Sequence, residues 1–200
     1  MTVGSSDVFT IDNGTNDLSG GATDTVINIS GPGTIFQNTV SNYIGGWSVN
    51  SGTLRLGSPT ALGITSIPVA FGASSSGLLQ LNGNSVTIGS LATNPVAGSP
   101  VVENGILGSA TLTVGGSAVT TYAGLIRNGA AGTLTLTKSG VGTLDLSAGN
   151  TYPGGTTVSG GLLKVNNLTG TSATGTSAVT MSGPWGLTGR PGSSRKPPAS

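Results

Sequence analysis

Between Thr133 and Ser147 apolar and polar residues take turns. Leu134 and Leu136 lie among Thr133, Thr135 and Thr137, and Leu144 and Leu146 among Thr143, Asp145 and Ser147. Side chains on a β-strand point to opposite faces with a period of two. Both segments therefore turn leucine to one side and a hydroxyl or carboxylate to the other. The same logic at Leu54-Arg55-Leu56 and Leu163-Lys164-Val165 predicts Leu54, Leu56, Leu163 and Val165 inward, with Arg55 and Lys164 outward. Val8–Ile11, Val26–Ile29, Ile67–Phe71, Leu78–Leu81, Val86–Ile88 and Thr111–Val114 are shorter β-prone runs bounded by turn-forming residues. No helical period survives a dozen residues without a glycine or proline to break it. The chain is predicted to be all-β.

The pattern also repeats at long range. The stretch from Gly31 to Gly57 recurs, position by position and without a gap, as Gly140 to Asn166. Nine positions are identical: Gly31, Gly33, Thr34, Tyr43, Gly45, Gly46, Val49, Gly52 and Leu54 meet Gly140, Gly142, Thr143, Tyr152, Gly154, Gly155, Val158, Gly161 and Leu163. Most of the shared positions are glycines. Stacked strands joined by tight turns leave such a trace, because each unit must reproduce its turn geometry to stack on the last. Gly45-Gly46, Gly154-Gly155 and Gly160-Gly161 are the candidate corners with positive φ.

Composition narrows what such a chain can do. Charged residues are 6% of 200 and glycine is 36 of 200, yet Leu, Ile, Val and Phe together make 48 and the net charge is only +1. Disordered chains have the opposite balance, low hydrophobicity with high net charge, so residues 1–183 are expected to be ordered. Histidine and cysteine are absent. That removes imidazole bases, thiolate nucleophiles, disulfides and the usual zinc ligands. No apolar run approaches the ~20 residues of a membrane span, and the first residues lack the basic start and apolar stretch of a signal peptide. From Pro184 onward the chain holds four of its ten prolines and three of its seven basic residues. Three charges are few for nucleic acid, and a disordered tail over 184–200 is expected.

Candidate chemistry is thin. Polysaccharide-cleaving sites need paired carboxylates or an acid cluster with a base, whereas Glu103 and Asp145 are the only acids after Asp24. Asp12-Asn13-Gly14-Thr15-Asn16-Asp17 lacks the order of a calcium loop and its closing glutamate; an Asx turn is expected there. The Gly-x-Gly strings open no helix and end in no Gly-Lys-Ser/Thr. No catalytic, cofactor or metal residue is assigned, and no enzyme is expected. Thr111/Thr113 and Thr133/Thr135/Thr137 are read as ordinary solvent-facing strand. Ice binding would need such pairs to recur in register coil after coil, and the sequence shows them at two places only. Tyr43 and Tyr152 hold equivalent places in the repeat and are the candidate carbohydrate contacts, although tyrosine packed across a corner is the commoner arrangement.

The run Thr133–Asn167 resembles the autotransporter-associated β-strand repeat of bacterial passenger regions. Lys138, Gly-x-Gly-Thr-Leu at Gly140–Leu144, Asn-Thr-Tyr at Asn150–Tyr152, Gly-Gly-Thr at Gly154–Thr156 and Gly-Gly-x-Leu at Gly160–Leu163 are similar to its consensus in order and spacing. Ser51–Gly63 looks like the same element in the first copy. The resemblance implies a right-handed parallel β-helix. At roughly 20 residues per coil, residues 1–183 would give about nine coils stacked ~4.8 Å apart. The resemblance extends over residues 31–183 as a solenoid and is absent from the tail; the residues themselves set off an N-terminal β segment or cap over 1–30 and the tail over 184–200. The function that the resemblance implies is a non-enzymatic surface-display segment of an autotransporter-like passenger, acting as spacer or adhesive face. The alternative is a carbohydrate-binding or polysaccharide-acting β-helix protein. The chain is expected to be a fragment of a larger cell-surface or secreted protein, without its own signal peptide or membrane barrel. Its expected partner is a surface ligand or polysaccharide, with no nucleic acid. Open strand edges make edge-to-edge self-association a further expectation.

Overall fold

The computed structural model describes residues 2, 4–5, 7–12, 18–130, 132–168, 172–182 and, in backbone alone, 186–189. The chain winds as coils, each contributing up to three short strands. The first coil holds β1 (Val8–Ile11), β2 (Ser19–Gly20) and β3 (Val26–Ile29), and the second holds β4 (Thr34–Gln37), β5 (Asn42–Tyr43) and β6 (Gly46–Val49). The third has β7 (Thr53–Leu56) and β8 (Pro68–Phe71), and the fourth β9 (Leu78–Gln80), β10 (Val86–Ile88) and β11 (Ser90–Thr93). The fifth has β12 (Val101–Glu103), β13 (Ser109–Val114) and β14 (Val119–Tyr122), and the sixth β15 (Leu125–Arg127), β16 (Thr133–Lys138) and β17 (Thr143–Leu146). Two further coils add β18 (Thr156–Val158) with β19 (Leu162–Val165), then β20 (Val179–Met181) with β21 (Gly186–Gly189).

Corresponding strands of successive coils pair in parallel and build three stacks. The first runs β1-β4-β7-β9-β12-β15. The second contains β2-β5 and, lower down, β10-β13-β16-β18-β20. The third runs β3-β6-β8-β11, then β14-β17-β19-β21. Where β14 follows β11, the Thr93 hydroxyl bridges the gap. Its Oγ1 accepts from Ala123 N at 3.0 Å and donates to Thr121 O at 3.3 Å. Turns replace strands at three levels while keeping a backbone bond to the coil above: Ile64 N to Tyr43 O at 3.1 Å, Thr151 N to Ile126 O at 3.0 Å, and Thr176 N to Tyr152 O at 3.1 Å. This is a parallel β-helix.

The core is the inward row of every stack. Phe9, Ile35, Leu54, Leu79, Val102 and Ile126 are successive register partners, and all but Phe9 of the first coil are buried. Leu134, Leu136, Leu144, Leu146 and Leu163 are wholly buried, as their alternation requires. Fully burying each such side chain contributes about 1.5–3 kcal/mol. Phe71 and Tyr122 pack at 5.7 Å between ring centroids, and Trp47 donates its indole N–H to Leu62 O at 2.9 Å.

The coils are fewer than about nine because most are longer than supposed. Thr34 stacks on Thr53 after a short coil, but Val8 reaches Thr34, and Thr87 its counterpart Thr113, only after markedly longer ones. The third stack has eight strands, so seven steps of about 4.8 Å give a rod some 34 Å long. Residues 8–29 join these stacks as the first coil, since β1 and β3 pair with β4 and β6. Of the tail segment 184–200, only Gly186–Gly189 is described, and its backbone pairs with β19 although its sequence has no strand alternation. The rest of that segment, and Asn13–Asp17 of the calcium-like string, lie outside the described residues.

Candidate functional site

The repeated glycines hold the corners. Gly52 has φ +70°, and a Cβ there would lie 2.2 Å from Gly31 O and 2.5 Å from Gly33 O. Gly161 has φ +64°, and a Cβ there would lie 2.2 Å from Gly142 O and 2.6 Å from Gly140 O. Glycine alone fits both the backbone and the space. The two copies thus build the same corner, but on different sides of the rod. In the first copy β4 and β7 belong to the first stack; in the second, β17 and β19 belong to the third. Both pairs stack across an equally short coil, Thr34 on Thr53 and Thr143 on Leu162. Of the corner glycines read from the sequence, Gly155 and Gly161 have positive φ, whereas Gly45, Gly46, Gly154 and Gly160 do not. Gly45 is required by crowding instead, since a Cβ would lie 2.2 Å from the Tyr43 hydroxyl.

Tyr43 and Tyr152 do not lie on the surface. Tyr43 is 6% exposed and Tyr152 0%, which leaves no ring face on which a sugar could stack. Tyr43 meets Trp47 edge-on at 6.1 Å, and its hydroxyl donates to Thr25 O at 3.2 Å. The Tyr152 hydroxyl pairs with Thr156 Oγ1 at 2.6 Å, and Thr156 Oγ1 donates onward to Thr174 O at 3.0 Å. Burial raises the Tyr152 pKa, and the Thr156 hydrogen bond offsets this in part. Tyr122, buried too, is raised by desolvation. These tyrosines are packing residues of the corners.

The outward rows differ sharply between stacks. On the first, Thr10, Phe36, Arg55, Gln80, Glu103 and Arg127 are successive register partners. The Arg55 guanidinium lies 4.5 Å from the centre of the Phe36 ring. Gln80 Nε2 donates to Glu103 Oε1 at 3.0 Å, and Arg127 Nε donates to Glu103 Oε2 at 2.8 Å. The Glu103 side chain is 7% exposed and that of Arg127 44%. A groove of about 550 Å³ runs beside this row, lined by Ser51, Gly52, Thr53, Ser76 and Leu78 among others, with Arg127 also on its wall. The second stack carries Thr87, Thr113, Thr137, Thr157 and Thr180 in its outward row instead.

The profile of the passenger-associated-transport-repeat family matches residues 30–56 and 136–165. The chain carries two passenger-associated-transport repeats. Both matched segments are the short coils described above. A curated relative, the adhesin BmaC autotransporter of Brucella suis biovar 1 (strain 1330), is 36% identical over 137 residues. The match covers 67% of this chain and 4% of that protein, so the chain spans a small part of the relative's length. No solved structure matches.

In the second passenger repeat, Lys138 takes an inward place between Val114 and Val158. It is 1% exposed, and its ammonium donates to the carbonyls of Ser139, of Gly140 at 3.1 Å and of Gly160 at 3.3 Å. Burial lowers its pKa below the ordinary lysine value. The first repeat has buried Ile29 at the equivalent position. Lys138 thus ties together the corner that follows β16 and the one that precedes β19. Sequence reasoning missed the Glu103–Arg127 pair, because a whole coil of chain separates partners that no local pattern links.

Proposed function

We propose that the chain is a non-enzymatic surface-display segment of an autotransporter passenger, a rigid spacer whose first strand stack is an adhesive face. The observation that carries this reading is the outward ladder from Phe36 to Arg127, laid on an unbroken inner row of buried aliphatic side chains. The spacer role follows from parallel stacking, in which each coil adds about 4.8 Å of length. The cell-surface or secreted location is carried over from the relative named an autotransporter adhesin. The Glu103 carboxylate is already engaged by Gln80 and Arg127, which suits an orienting role better than acid–base work.

A second reading has an acidic polysaccharide lying along the 550 Å³ groove, since the exposed Arg127 stands on its wall. Beads coated with the full chain would be tested for retention on epithelial monolayers and on immobilised acidic and neutral glycans. The adhesive reading expects retention above albumin-coated beads, and a several-fold loss with Arg127→Ala. Retention no better than albumin on every surface would leave only a spacer. Retention confined to acidic glycans would favour the second reading.

A further inference from the structure

The outward side of the second stack bears neither a charge nor a large side chain. Thr87, Thr113, Thr137, Thr157 and Thr180 are register partners in unbroken succession. Five threonines therefore follow one line down the rod, about 4.8 Å apart. Thr111 and Thr135 pair in a second row on the same face, two residues earlier along their strands, which places them about 6.6–6.8 Å from the first row. Ser85 continues that row upward, its Oγ accepting from Thr111 N at 3.1 Å. None of the five hydroxyls in the main line has a hydrogen-bond partner among the described residues. By contrast Thr135 of the second row donates its hydroxyl to Gly154 O at 3.2 Å, and elsewhere Ser41, Ser75, Thr25 and Thr156 also bind backbone carbonyls. The five hydroxyls face solvent unused.

Such a grid is matched by one repetitive surface in particular. Hydrogen-bonded water has O···O distances of about 2.75 Å. Tetrahedral geometry then places second neighbours about 4.5 Å apart and repeats paired puckered layers about every 7.3 Å. The threonine grid comes within about a tenth of both spacings. Each residue adds a methyl beside its hydroxyl, so the face both hydrogen-bonds water and holds it in place. A saccharide surface is served less well. Sugar recognition draws on stacked aromatic rings, and this row has none.

We propose that the threonine face of β10, β13, β16, β18 and β20 binds the surface of ice, ordering a layer of water that joins the crystal lattice. The proposal is independent of the adhesive reading of the first stack. The test is the enrichment of the full chain in a slowly grown ice hemisphere, with thermal hysteresis measured beside it. The variants are Thr137→Tyr, which breaks the flat line at its centre, and Thr121→Tyr, outward on the third stack. Wild type and Thr121→Tyr are expected to concentrate in the ice relative to a soluble reference protein, and Thr137→Tyr to do so several-fold less. If Thr137→Tyr lost its β circular-dichroism signal, Thr87→Tyr and Thr157→Tyr carry the same expectation. Wild type behaving like the reference would overturn the proposal, as would equal losses from the Thr137 and Thr121 variants. Binding to crystalline cellulose without enrichment in ice would overturn it in favour of a glycan surface.

Discussion

At single residues, stability turns on backbone carbonyls that approach too closely for any Cβ. Gly52→Ala and Gly161→Ala would each set a methyl 2.2 Å from a carbonyl oxygen of the coil above. Gly108 also has positive φ, +101°, but nothing lies within 4 Å of its added Cβ. Gly108→Ala therefore carries the left-handed strain alone, about 1–2 kcal/mol. Thermal melts should rank both corner variants well below Gly108→Ala; equal melting temperatures would refute the stacking role of the corners. The buried tyrosines supply a pH test. The ordinary tyrosine pKa is 10.0, and burial raises Tyr122 and Tyr152 above it. Above that value the unfolded chain loses tyrosine protons that the folded chain keeps, so stability falls as pH rises. Denaturant midpoints on either side of pH 10 should show the fall, and Tyr122→Phe with Tyr152→Phe should reduce it. An identical slope in the double variant would count against this account.

Among the elements, β16 is instructive because its inward row ends in a cation. Lys138→Met would spare the ammonium its desolvation but leave three corner carbonyls without that donor. Each unsatisfied carbonyl costs about 1–3 kcal/mol, and three outweigh the gain from removing a buried charge. Lys138→Met is expected to melt below wild type, and Lys138→Ala lower still because it also opens a cavity. A Met variant as stable as wild type would show that water serves those carbonyls equally well. The same strand shows what a sequence can disclose. Its alternating Leu134 and Leu136 follow a local period of two, and the structure buries both. Its place in the stack is a non-local fact. Thr87, Thr113, Thr137, Thr157 and Thr180 are unequally spaced along the chain, and no fixed period links them. Only Thr-x-Thr on β13 and β16 was visible, because those two strands are long enough to show it. Tyr43 and Tyr152 fail for a related reason. A repeat position identifies equivalent residues without saying which side of the wall they occupy.

Across the whole molecule, each coil touches chiefly its two neighbours, so stability is the sum of coil and interface contributions. The first coil has a neighbour on one side only among the described residues. Phe9, inward by register, is 47% exposed, while its partner Ile35 is 1% exposed. Amide hydrogen exchange should be fastest in β1 to β3 and slowest in β7 to β17; uniform protection along the rod would mean a single cooperative unit. The displacement of the second repeat copy from the first stack to the third has a genetic consequence. Between β4 and β17 the chain turns through four and two-thirds coils. Recombination between the two copies would add or delete the stretch from Gly31 to Ser139 while leaving each join locally native. Everything beyond the join would then move along the axis and swing round by a third of a turn. One crossover would alter both how far the rod reaches and which way its distal threonines and charges are aimed.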